Sequence, residues 1–178
     1  MTEQITIRQA TLDDAEALAR LHVRSWQWAY RGQLPDEFLD RMPATMDRRI
    51  EARRAQLIAL PPDHRWWVAE QAGQMVGFAV TEPSRDVDAP PSTGEISLIY
   101  LEQEAAGKGI GRQLFAHAVE DLRRRGYAQA ILWVLETNAR AHRFYEAAGW
   151  RPDGASKTEE WSGVTLREVR YAITLKKS

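Results

Sequence analysis

The chain has 178 residues, a formal net charge of −1, no cysteine and 44% hydrophobic residues. That length and apolar share suit one domain spanning 1–178 with a full core, and the lack of cysteine excludes disulfides, thiolate zinc sites and a cysteine nucleophile. Near-neutral charge gives no steering toward nucleic acid, MTEQITIRQA lacks a basic-then-apolar leader, and no apolar run reaches the ~20 residues of a membrane span; the expected setting is cytoplasmic, without nucleic-acid or membrane partners.

ITIRQA alternates like a strand, and TLDDAEALARLHVRSW follows as a helix opened by a capping-box-like pair, Thr11 and Asp14. Past Gly32 and Pro35, DEFLDRMPATMDRRIEARRAQLIAL predicts a broken helix, with Pro43 at a boundary or first turn, stopped by Pro61 and Pro62. RWWVAEQ and MVGFAVTE are strand patterns joined by Ala72, Gly73 and Gln74. PSRDVDAPPST is a Pro-rich loop, either a lid or simply mobile. GEISLIYLE is a further strand, and QEAAGKG leads into a helix with Leu114, Phe115, Ala118, Val119 and Leu122 on one face, ended by Gly126. Its last-turn run Arg123–Arg125 complements the helix dipole.

AQAILWVLE predicts a strand buried on both faces, with Trp133 in the core alongside Trp66 and Trp67. NARAHRFYEAAG is a helix capped by Asn138 and ended by Gly149, and WRPDGASKTEEW and TLREVRYAITL close the chain as strands. The order β-α-α-β-β-β-α-β-α-β-β predicts an α+β fold: one mixed, mostly antiparallel sheet of six or seven strands with helices on both faces. His22, His64, His117 and His142 show no ligand spacing, so no metal is expected.

The stretch AAGKGIGRQLF places Gly107, Gly109 and Gly111 where a strand gives way to a helix. A helix start leaves backbone N–H groups without partners and carries about half a positive charge, so its natural guest is an anion. The Walker spacing fails because Lys108 precedes Gly109, and the dinucleotide fingerprint fails because its third glycine position is Arg112. Phosphate or pyrophosphate on residues 107–112 is the remaining functional reading, beside a merely tight turn, for which one glycine would suffice.

The pieces LIYLEQEAAGKGIGRQLF and NARAHRFYEAAGWR, with the strand order end to end, resemble the GNAT superfamily of acetyl-CoA-dependent N-acetyltransferases. SWQWAYRGQLPDEFLD is similar to the first helix and following loop of one branch. Ala106 stands where the family usually has Gln or Arg, and LEQE lacks the usual proline. The resemblance implies the GNAT acyl-CoA N-acyltransferase fold, acetyl-CoA as co-substrate without a metal, and a primary amine acceptor, here a small molecule. It implies cofactor contacts from Ile99, Tyr100 and Leu101, with the Leu101 N–H toward the thioester oxygen; from Gly107, Lys108, Gly109, Ile110, Gly111 and Arg112; and from Asn138.

By the same resemblance Tyr145 protonates the departing thiolate and Glu95 draws a proton from the amine through water. A lysine-like amine titrates near ~10.4 and a thiol near ~8.5, so the base carries the harder task. Each residue has a plainer alternative: Tyr145 as a core aromatic, Glu95 as an exposed strand-end carboxylate, Asn138 as a cap, Lys108 and Arg112 as solvated cations. The acceptor mouth implied by the family would draw on Trp26, Trp28, Tyr30, Phe38 and Trp161, with Trp26, Tyr30 and Trp161 as candidate substrate contacts. A non-catalytic acyl-CoA-binding module, or a protein N-terminal or lysine acetyltransferase, are the alternatives on the same fold. A homodimer is compatible with all of these.

Overall fold

The computed structural model describes residues 4–161 and 163–175. The elements are β1 (Ile5–Gln9), α1 (Ala15–Ala29), α2 (Asp36–Arg41), α3 (Met46–Ile58), β2 (Arg65–Gln71), β3 (Gln74–Pro83), β4 (Thr93–Leu101), α4 (Ile110–Arg124), β5 (Gln129–Leu135), α5 (Ala139–Ala147), β6 (Arg151–Trp161) and β7 (Val164–Thr174). The strands form one seven-stranded sheet in the order β1-β2-β3-β4-β5-β7-β6. All neighbours are antiparallel except β4 and β5.

Local chemistry explains the element ends. The Thr11 N–H donates to Asp14 Oδ2 at 2.7 Å, and Arg8 donates to both Asp14 oxygens at 2.8 and 2.9 Å. The Arg8 guanidinium also donates to Glu70 at 2.6 Å, so one arginine ties β1, the entry to α1 and β2, and it holds the Asp14 carboxyl below its ordinary range. Pro43 opens a 3-10 segment, Met42–Thr45, that separates α2 from α3. The β2–β3 hairpin closes through two residues, Ala72 and Gly73, both at positive φ (50° and 75°), while Gln74 already belongs to β3.

Two apolar layers fill opposite faces of the sheet. On one, Leu18 and Leu21 of α1 pack on Val68, Phe78 and Val80. On the other, Leu114, Phe115, Ala118 and Leu122 of α4 meet Ala69, Ala79, Ala130 and Leu132, with Tyr145 and Trp150 from the α5 region. Alternation along β2 and β3 sends Val68 and Phe78 one way and Ala69 and Ala79 the other.

β4 carries the irregularity that matters for function. Its register to β3 steps from Thr81↔Ile96 to Val80↔Leu98, which leaves Ser97 as an extra, bulged residue. β4 pairs with β5 only at Thr93, Gly94 and Glu95, so beyond Glu95 the two central strands part.

Leu101 at the end of β4 is wedged between two glycines. A Cβ on Gly77 would lie 2.6 Å from Leu101 Cδ2 and 3.0 Å from the Tyr100 carbonyl oxygen, and one on Gly111 would lie 2.7 Å from Leu101 Cδ1. Neither methyl of Leu101 can retreat without meeting the opposite glycine. Gly77→Ala is therefore expected to cost about 1–3 kcal/mol of stability through overpacking, outweighing any gain in strand propensity. A denaturant midpoint equal to that of the parent chain would contradict this packing.

Candidate active site

The gap between β4 and β5 opens into a cleft of about 720 Å³ that reaches both faces of the sheet. Its floor is main chain. The Glu102 N–H donates to the Val76 carbonyl at 2.9 Å, so alternation turns the main chain of Tyr100 toward Phe78 on β3 and that of Ile99 and Leu101 toward the gap. The Leu101 carbonyl accepts from Trp28 Nε1 at 3.2 Å, and its N–H faces the cleft. Of the three residues expected to pair with an extended guest, Ile99 and Leu101 thus present backbone to it, whereas the Tyr100 backbone is engaged by β3.

At one end of the cleft stands the glycine loop. Gly107 and Gly109 have φ of 78° and 82°, a region L side chains rarely adopt, and a Cβ on either would meet only open space. The first intrahelical bond of α4 runs from the Gln113 N–H to the Gly109 carbonyl at 3.1 Å, so the N–H groups of Ile110, Gly111 and Arg112 have no acceptor within the helix. Open space above three unpaired donors fits a phosphate group. Gly111 has a different reason to be glycine, the approach of α4 to Leu101. Ile110 is buried in the core and offers only its amide; Arg112 lines the cleft; Lys108 lines a neighbouring hollow beside α1 and the β2–β3 turn.

Tyr145 and Glu95 reach the cleft from opposite faces of the sheet. Tyr145 on α5 is 8% exposed, and burial pushes its phenol above the ordinary value, with Tyr100 adding to the shift. Among the described residues its hydroxyl makes no hydrogen bond. Glu95 is 5% exposed rather than an open strand-end carboxylate, and its Oε2 is buried without a partner. Burial raises its carboxyl, against the pull of Arg85. Asn138 caps α5 through Oδ1, which accepts from the Ala141 N–H at 3.1 Å, and also lines the cleft.

The α1–α2 side of the cleft holds an aromatic group. The Trp26 ring stands edge-on to Trp161 at 4.8 Å and to Tyr30 at 4.9 Å, and all three line the cleft. Phe38 belongs to the buried cluster behind them and does not line it. Tyr100 stacks on His22 at 4.8 Å, its phenol pushed up to about 12 by burial; burial and Arg53 bring His22 down to about 3.

Trp133 corrects the expectation of a doubly buried β5. It is half-buried on the cleft wall because β4, which would have covered it, has turned away. Its Nε1 donates to Asp86 at 3.2 Å, and Arg170 binds Asp86, Asp88 and Asp153 at 2.7–2.9 Å. The Pro-rich loop after β3 is therefore tethered to β6 and β7. Further cleft residues that sequence patterns did not single out are Arg140, whose Cζ lies 4.7 Å from the Trp28 ring centroid, and Arg85, Lys157, Glu159, Glu160 and Glu168. Strand register brings Glu168 of β7 beside Lys157 of β6. Among the described residues there is no metal-binding cluster of His, Asp and Glu, and no helix is long and apolar enough to cross a membrane.

Comparison with known proteins agrees with this geometry. The chain is 29% identical over 167 residues to an N-acetyltransferase of Bacillus subtilis, covering 93% of this chain and 90% of that protein. It is 32% identical over 146 residues to an N-acetyltransferase of Archaeoglobus fulgidus, covering 82% and 92%. The fold matches the PaiA N-acetyltransferase of Thermoplasma acidophilum in complex with coenzyme A, with a TM-score of 0.67 at 21% identity over 96% of this chain and 99% of that one. The Acetyltransferase (GNAT) family model spans residues 16–150, from the first turn of α1 through β4, β5 and the glycine-started and asparagine-capped helices, and ends before β6 and β7. The chain belongs to the GNAT family and is an N-acetyltransferase.

Proposed function

We propose that the chain moves the acetyl group of acetyl-CoA directly to a primary amine of a small molecule. The observation that carries this reading is the break in the sheet after Glu95, which leaves the main chain of Ile99 and Leu101 open to a cleft that a buried phenol and a buried carboxylate also line. Acetyl-CoA supplies the activated thioester. The unpaired amides of Ile110, Gly111 and Arg112 receive its diphosphate, and the main chain of Ile99 and Leu101 pairs with its pantetheine arm as a strand would.

Within that arrangement the Leu101 N–H donates to the carbonyl oxygen as negative charge develops there, a contribution worth about 3 kcal/mol for one well-placed donor. Glu95 takes the proton of the attacking ammonium through water, and Tyr145 donates to the departing sulfur. Trp26, Tyr30 and Trp161 wall the acceptor. A small acceptor is favoured over a protein tail because the Arg170 tether fixes the loop beside the mouth, and because one cleft of about 720 Å³ must hold both the pantetheine arm and the acceptor.

Coenzyme A is expected to bind in calorimetry where ATP does not. Tyr145→Phe should lower kcat by roughly 10²-fold with little change in acetyl-CoA affinity; an unaltered kcat removes Tyr145 from the reaction. For Glu95 the raised carboxyl means that the basic form is lost, as pH falls, at a value above the ordinary carboxylate range. The acid limb of kcat/KM should lie there in the parent enzyme and vanish in Glu95→Gln; an identical profile in the variant would exclude Glu95 as the base.

A further inference from the structure

The cleft wall opposite the glycine loop is one face of β5, β7 and β6. Register pairs Trp133 with Arg170, Leu135 with Glu168, Glu168 with Lys157 and Leu166 with Glu159, so these side chains share that face. Glu95 lies on it too, paired with Ile131 two residues before Trp133. There the Lys157 ammonium sits 4.6 Å from the Trp133 ring centroid, 3.1 Å from Glu159 Oε1 and 3.4 Å from Glu168 Oε2. An indole face flanked by two carboxylates is a seat built for an ammonium ion. Its occupant is the chain's own lysine, half-buried on a flexible stem.

The seat remains short of positive charge with Lys157 in it. The carboxylates on this face of the cleft are Glu95, Glu159 and Glu168, and the cations are Lys157 and Arg85, three against two. Burial pushes the Glu168 carboxyl up, and Lys157 pulls it back only in part. Glu95, whose Oε2 is buried and unpartnered, lines the same space. The cations that would greet an acidic acceptor are engaged already, Arg85 with Glu82 at 3.4 Å and Arg170 with three aspartates.

Resting on the acetyl-transfer reading, we infer that the acceptor is a diamine or longer polyamine. Its unreacting ammonium takes the seat formed by Trp133, Glu159 and Glu168, displacing Lys157, while its reacting amine faces Glu95. Lys157 is then an internal stand-in for the substrate, and the seat sets specificity by admitting a second positive charge and rejecting a carboxylate.

Calorimetric titration of the full chain with 1,4-diaminobutane, butylamine and aspartate, with and without saturating coenzyme A, tests this. The diamine is expected to bind about tenfold tighter than butylamine, and aspartate weakest. Glu168→Gln should bring the diamine-to-monoamine ratio near one, and Lys157→Met should tighten diamine binding severalfold by removing the competing ammonium. Equal affinities for the three amines, tightest binding of aspartate, or weaker diamine binding in Lys157→Met would each overturn the inference. The seat is formed by protein alone, so the titration without coenzyme A reads it independently. Failure of coenzyme A itself to bind counts against acetyl transfer instead.

Discussion

The parallel ladder between β4 and β5 stops at Glu95, although β4 continues to Leu101 and β5 to Leu135. Two strands that part in the middle of a sheet leave main-chain donors and acceptors unpaired, and each such buried group costs about 1–3 kcal/mol unless something satisfies it. Trp28 recovers one of them by donating to the Leu101 carbonyl. The others call for a guest with its own amides in extended form, which is the chemistry of strand addition. The break is held open rigidly: β4 stays paired to β3 through Leu101, β5 stays paired to β7 from Gln129 to Leu135, and the Leu101 side chain is locked between Gly77 and Gly111. Because the gap passes through the sheet, groups from both layers meet in it, Tyr145 from the α5 side and Glu95 from the α1 side.

That passage gives the cleft two ends of opposite character. At the α4 start, unpaired N–H groups and Arg112 and Arg140 present positive potential; at the β6–β7 end, glutamates outnumber cations. Charge alone therefore sorts an anionic donor from a cationic acceptor and sets the direction in which each enters. The tether of Arg170 to Asp86, Asp88 and Asp153 keeps the acceptor end walled and leaves no free cation in it, since one guanidinium faces three carboxylates.

The element order was legible because it rests on local periodicity: the alternation of ITIRQA, the apolar stripe of Leu114, Phe115, Ala118 and Leu122, and the glycines that close α4 and α5 at φ of 86° and 88°. The bulge at Ser97 was not, since SLIYL reads as an unbroken strand and its extra residue is defined only by the partner. From that one insertion follow the two features that the sequence reading missed. It sends Tyr100 to the α1 face with Phe78 and Leu98, and beside the divergent stretch of β4 Trp133 is uncovered, while its neighbours in ILWVL are buried. The ammonium seat was equally hidden, because Lys157, Glu168 and Trp133 are joined by register across three strands. The glycine loop stood out for the opposite reason: its demand for positive φ is local and written in residue type.

Burial shapes the proposed proton transfers in a consistent way. A free carboxyl near ~4.3 is a poor base toward an amine near ~10.4. In the cleft, loss of water raises the Glu95 carboxyl, so the difference narrows from the side of the base. On the leaving-group side the same effect raises the Tyr145 phenol, which at first sight makes it a weaker acid than a thiol near ~8.5. The departing thiolate, however, is born in the same water-poor space and is raised with it, so the gap between the two is governed by their mutual hydrogen bond rather than by either solution value. A phenol kept firmly protonated is then the right partner: it holds its proton at neutral pH until negative charge appears on sulfur, and only in the transition state does that charge exist.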